Sequence, residues 1–123
     1  MPTLFEKIIR GEIPSKIIYQ DRSVFVIEDI NPLAPVHVLI IPIVSFVDIF
    51  SLSYKAFAAD SLQKEGCKDT LLHLFEVAAI MVDILGIRES GFRIVINTGK
   101  DAGQQVPHLH LHLIGGKELG GIA

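Results

Sequence analysis

Cysteine is almost absent from this chain of 123 residues: Cys67 stands alone. A single thiol cannot close an internal disulfide, and no Cys-x-x-Cys pair exists to clip a zinc ion. A reducing compartment fits best, and Cys67, within KEGCKD, reads as an incidental loop thiol. A surplus of positive charge is also missing. Lys and Arg number 11 against 14 Asp and Glu, giving a net charge of −3, which argues against binding nucleic acid as a polymer. A small local anion site remains open, because net charge says nothing about one cleft. Long apolar runs are lacking too: VLIIPIV falls far short of the ~20 residues a membrane helix needs. The opening MPTLFEKIIRGEIP carries charge throughout, unlike a signal peptide. The chain reads as a soluble, cytoplasmic protein without membrane contact, and residues 1–123 as a single domain around one core.

Half of the residues are apolar and a fifth are charged, a globular composition. No repeat or low-complexity segment interrupts it. Near the N-terminus Thr3 can cap a short helix with Leu4, Phe5, Ile8 and Ile9 as its apolar stripe, stopped by Gly11 and Pro14. KIIYQD and SVFVIEDI are β-rich runs that predict a hairpin around Asp21–Arg22–Ser23. NPLAP is a loop, and HVLIIP a largely apolar third strand. Residues 46–68 lack a clean period, which predicts a helical turn or two and an exposed loop around Gly66. Leu71, Leu74, Phe75, Ala78, Met81, Val82 and Leu85 then fall at helical spacing. The main helix is placed at 70–85, capped by Asp69 or Thr70 and ended by Gly86. GFRIVIN is a fourth strand, TGKDAGQQVP a glycine-containing loop, and HLHLHLI a fifth strand ended by Gly115–Gly116. Without βαβ alternation, this order predicts an α+β fold with an antiparallel sheet.

The last strand holds three of the chain's five histidines, His108, His110 and His112, alternating with Leu109, Leu111 and Leu113. Successive strand residues point to opposite faces, so the leucines pack inward and the histidines face a cleft or solvent. Three readings compete. One is a solvated polar face. A second is a metal site, in which two neighbouring histidines share an ion with His37. His108 and His112 lie ~13 Å apart along an ideal strand, too far for one ion, and no acid stands beside them in the sequence. The third is acid/base and nucleophilic chemistry on phosphate, since imidazole offers both protonation states near neutral pH. His73, on the main helix, belongs to no motif and reads as structural or solvated.

The run His108–Leu109–His110–Leu111–His112–Leu113–Ile114 resembles the signature of the histidine triad (HIT) superfamily. The blocks FEKIIRGEIPSKIIYQD, EDINPLAPVHVLIIP, GFRIVINTG and AGQQVPHLHLHLIGG resemble its Hint branch, in the same order over nearly the whole chain. The resemblance implies the HIT fold, a five-stranded antiparallel sheet with one long and one short helix, its sheets joined across a homodimer. It implies a purine nucleotide site in each subunit. The implied chemistry is cleavage of adenosine 5'-phosphoramidates, and of aminoacyl-adenylate-type substrates, to AMP through a covalent nucleotidyl-histidine, with no metal and no cofactor.

Carried across position by position, His110 matches the nucleophile and His112 a proton donor beside the leaving group. His108 and His37 match residues that orient the nucleophile. Asn97, Gly103, Gln105 and Val106 match phosphate contacts, and Asp29 the acceptor of the ribose hydroxyls. Leu4, Phe5, Ile8, Ile13, Ile27 and Ile30 match the apolar slot around the base. The chain also departs from the pattern. Thr3 and Glu6 stand where many bacterial relatives carry half of a zinc site, and Ser45 replaces a histidine after the third strand, which argues against a structural zinc. Gln105 replaces the serine often found before the triad, segment 46–69 is longer than the pattern requires, and GKELGGIA lacks an aromatic tail. Two rival functions accompany this reading: a dinucleoside polyphosphate hydrolase with the same nucleophile, and a nucleotide-binding regulator with little turnover.

Overall fold

The computed structural model describes residues 1–58 and 63–122. Its centre is an antiparallel sheet of five strands in the order β1-β2-β3-β5-β4, comprising β1 (Ile17–Gln20), β2 (Val24–Glu28), β3 (Val36–Pro42), β4 (Phe92–Val95) and β5 (Leu111–Gly115). This is the α+β class that the sequence predicts. The β1–β2 hairpin turns on Asp21, whose Oδ1 accepts the N–H groups of Ser23 and Val24, each at 2.9 Å. Such a side-chain turn gives the backbone its hydrogen-bond partners without a glycine.

Pairing register divides the sheet into two faces. Leu39 lies opposite His112 and His37 opposite Ile114, while Val38 faces Leu113 and Ile40 faces Leu111. Val24, Val26, Val38, Ile40, Leu111 and Leu113 pack under two helices, α2 (Ile49–Ala58) and α3 (Gln63–Ile84). Phe25, Ile27, Leu39 and Ile41, on the other face, pack with Phe5 and Ile8 of α1 (Leu4–Ile9). That six-residue helix is held by a full capping box: Thr3 Oγ1 accepts the Glu6 N–H, and the Glu6 side chain accepts the Thr3 N–H. Such a box satisfies two N–H groups that a short helix would otherwise leave bare.

Three expectations are corrected. Within 46–68 the described residues are helical over Ile49–Ala58 and from Gln63 onward, and Asp48 Oδ1, accepting the Ser51 N–H at 2.8 Å, caps α2. Gly66 lies inside α3 rather than in a loop, and Thr70 is mid-helix, its hydroxyl donating to the Gly66 carbonyl at 3.0 Å instead of capping. Cys67 is therefore a buried helix residue in the core. Helical propensity loses only ~1 kcal/mol at a glycine, and burial of Leu52, Ala56 and Cys67 against the sheet outweighs it. The third correction concerns β5, which begins at Leu111, so His108–His110 precede the strand. His108 N–H closes a tight turn onto the Val106 carbonyl at 2.8 Å, drawing this stretch off the ladder.

Candidate functional site

A cleft of about 560 Å³ opens on the α1 face of the sheet, within the range of roughly 300–1,000 Å³ typical of small-molecule sites. Its walls include Leu4, Phe5, Ile8, Ile13, Ile27 and Ile30 on the apolar side. Asp29, His37, Asn97, Gly103, Gln105, Val106, His110 and His112 face it from the other. Every sequence-derived site residue except His108 thus lines one cavity. Ile30 stands at its rim, 92 % exposed, rather than within a closed slot. Pro14, Ser15, Glu28, Asn31, Leu33, Leu39 and Gln104 also line the cleft; all lie within the blocks that resemble the Hint branch, where sequence reasoning gave them no role.

His108 is fully buried and does not reach the cavity. Its Nε2 lies 2.8 Å from the Pro42 carbonyl, and its Nδ1 lies 2.7 Å from Thr3 Oγ1. A carbonyl only accepts, so the ring proton sits on Nε2, and the Thr3 hydroxyl donates to Nδ1. Burial lowers the proton affinity of this ring, which keeps it neutral.

His110 follows the same logic with the nitrogens exchanged. Its Nδ1 donates to the His108 carbonyl at 2.8 Å. A neutral ring then leaves Nε2 as a bare lone pair in a wall of the cleft. Burial lowers its pKa, against opposing effects of that hydrogen bond and of Asp29. Phe5 braces the ring edge-on, with centroids 5.0 Å apart.

His112 has the complementary form. Leu33 N–H donates to His37 Nδ1 at 3.0 Å, so His37 carries its proton on Nε2. That nitrogen lies 2.9 Å from His112 Nδ1 and 3.3 Å from Asp29 Oδ2. His112 Nδ1 accepts, and its own proton sits on Nε2. Burial lowers the pKa of His112 to about 4, with the neighbouring His110 and His37 adding to the effect. The cleft therefore presents one imidazole as a lone pair and its neighbour as an N–H donor, with ring centroids 5.1 Å apart.

The metal reading meets its test at this cluster. Asp29, His37 and His112 each place a potential ligand atom within 4.8 Å of the others, so an acid does stand beside the histidines, brought there from β2's end by the fold. Yet the Leu33 N–H occupies His37 Nδ1, so freeing Nε2 for a metal would require an imidazolate or the loss of that bond. The donor set does not fit an ion as it stands.

The loop before the triad is held open by glycine geometry and one side chain. Gly99 and Gly103, at φ 79° and 76°, bracket a 3-10 turn over Lys100–Ala102, a backbone region that disfavours side chains with a Cβ. Gln104 ties the loop: its Oε1 accepts the Gly99 N–H at 2.9 Å, and its Nε2 donates to Val47 at 2.7 Å and to Val106 at 3.1 Å. The Gly103 N–H is spent on the Lys100 carbonyl, at 3.0 Å. The N–H groups of Gln105 and Val106 have no acceptor among the described residues and suit an anion. Asn97 Nδ2 donates to Ala102 at 2.9 Å and so braces the same loop.

Comparison with known proteins gives consistent matches. A family profile described as HIT domain covers residues 10–119. The chain is 42% identical over 118 residues to purine nucleoside phosphoramidase of Escherichia coli (strain K12), spanning 96% of this chain and 90% of that one. Among solved structures, a histidine triad protein from Clostridium difficile superposes with a TM-score of 0.82 at 33% identity, covering 98% of this chain and 95% of the other. A HIT family hydrolase from Clostridium thermocellum gives 0.81 at 40% identity, with the same coverage of 98% and 95%.

Proposed function

The chain belongs to the HIT domain family, and from that premise we propose that it is a purine nucleoside phosphoramidase, cleaving adenosine 5'-phosphoramidates to AMP through a nucleotidyl-His110 intermediate. The observation that carries the reading is the bond from His110 Nδ1 to the His108 carbonyl, which turns a bare Nε2 toward the cleft. The similarity to the E. coli phosphoramidase supports the substrate class, and that to the C. thermocellum hydrolase supports the reaction type.

In this mechanism the apolar wall takes the purine, Asp29 accepts the ribose hydroxyls, and the Gln105 and Val106 amides receive the phosphate. The arriving phosphate raises the proton affinity of His112, and a proton enters with the substrate: His37 Nε2–H turns to Asp29 Oδ2, 3.3 Å away, and frees His112 Nδ1 to take it. His110 Nε2 attacks the α-phosphorus and the phosphorus–nitrogen bond breaks. The leaving nitrogen takes the proton from His112 Nε2. Water then attacks the phosphorus, gives a proton to His112, and the phosphorus–His110 bond breaks to release AMP. His108 holds His110 throughout, and His37 holds His112. No step requires a metal or cofactor.

The test is a single turnover with adenosine phosphoramidate in excess EDTA, followed by intact mass. Wild type is expected to release AMP through a transient adduct of one AMP that His110→Ala cannot form. If both proteins bind AMP and neither turns over, the phosphoramidase reading falls, and diadenosine polyphosphates become the next substrates to try.

A further inference from the structure

Thr3 lies outside the cleft, yet it joins the wall that would receive the base to the residue that would attack the phosphate. Its backbone N–H and its hydroxyl oxygen close the capping box of α1 with Glu6, at 2.9 and 3.1 Å. The same hydroxyl donates its only proton to His108 Nδ1, at 2.7 Å. His108 in turn presents its carbonyl to His110 Nδ1, at 2.8 Å. Phe5, two residues along the same helix, packs edge-on against both rings, with centroids 5.5 Å from His108 and 5.0 Å from His110.

We propose that Thr3 is a positioning residue for the nucleophile: its hydroxyl sets the proton arrangement of His108, and so the aim of His110, while locking α1 to that pair. The Thr3 hydroxyl is suited to this because it accepts from Glu6 and donates to His108 at once. A residue that only accepts would cap the helix equally well and force a second proton onto His108. The inference rests on His110 being the nucleophile, and the experiment separates the two.

Three variants divide capping from donation. Thr3→Ser keeps both. Thr3→Asp keeps a strong cap, but its carboxylate has no proton to give. Thr3→Val loses both and keeps the shape. Each would be followed by single-turnover adduct formation, AMP binding and the ¹⁵N spectrum of the histidine rings. Thr3→Asp and Thr3→Val are expected to slow adduct formation roughly five- to twentyfold, with AMP affinity in the capped Thr3→Asp within about twofold, while Thr3→Ser recovers most of the rate. The His108 Nδ1 signal should move in the Asp and Val variants and hold in Ser. Thr3→Asp reacting as fast as Thr3→Ser would overturn the proposal, since capping alone would then suffice. Should Val unfold, the Asp–Ser comparison stands by itself. Should wild type form no adduct, the nucleophile reading falls, and an unmoved His108 signal in Thr3→Asp would overturn the Thr3 coupling separately.

Discussion

Burial and hydrogen bonding pull the histidines of this chain in opposite directions. Those of the cleft are pushed toward the neutral form, His112 to about 4, because desolvation penalises their charge. His73 is pushed the other way. Its Nε2 lies 2.7 Å from Asp21 Oδ2 and its Nδ1 3.0 Å from Glu76 Oε1, and the bond to Asp21, then that to Glu76, raises its pKa. Two carboxylate partners require both ring protons, so the pair fastens α3 to the β1–β2 turn as an imidazolium. The unfolded chain holds that proton less tightly, with a pKa near ~6.5. The stability His73 contributes is therefore complete below that value and is lost as pH rises through the folded pKa. Urea midpoints should separate wild type from His73→Gln most at pH 6 and least near pH 9; parallel curves across that range would refute the ion pair's role. The sequence marked His73 only as structural or solvated, because its partner Asp21 lies 52 positions away.

At the scale of elements, the alternation of β5 does two tasks with one strand. Leu111 and Leu113 are fully buried against the helix side, while His112 opens onto the cleft. Leu111→Ala should cost about 2–5 kcal/mol in urea unfolding; a loss below 1 kcal/mol would mean that the helical layer closes over the gap. This alternation was legible in the sequence because period-2 patterning is local. What it concealed was the end of the strand. His108 keeps the rhythm of the motif yet leaves the ladder and buries its ring against Thr3 and Pro42, contacts that span the whole chain. α2 was obscured for another reason: Phe50, Tyr54 and Phe57 are 67 %, 53 % and 68 % exposed, so its apolar residues lie on both sides and erase the period. The short α1, by contrast, announced itself through Thr3 as a cap, its apolar stripe and the stop at Gly11 and Pro14.

For the whole molecule, the sheet separates two concerns. The buried cluster beneath α2 and α3 holds most of the core, and the smaller cluster with α1 adjoins the cleft. Among the described residues β4 ends the sheet at one edge, with Phe92 46 % exposed. An open strand edge with an exposed aromatic side chain invites pairing, and we propose it as the seam of a homodimer. Phe92→Glu is expected to shift the mass measured by sedimentation from dimer to monomer; a monomeric wild type would refute the seam. No helix among the described residues is long and apolar enough to cross a membrane.

The Leu33 amide hydrogen-bonds to an imidazole nitrogen rather than to a carbonyl, which makes a piece of main chain hostage to a side chain's charge. A second proton on His37 would set two N–H groups against each other and eject the Leu33 segment from its perch. Deuterium uptake at that one amide thus becomes a built-in gauge of acid reaching the cleft. Its protection, relative to a free amide at the same pH, should hold while His37 is neutral and fall, before that of the sheet amides, as pH drops past the lowered pKa of His37.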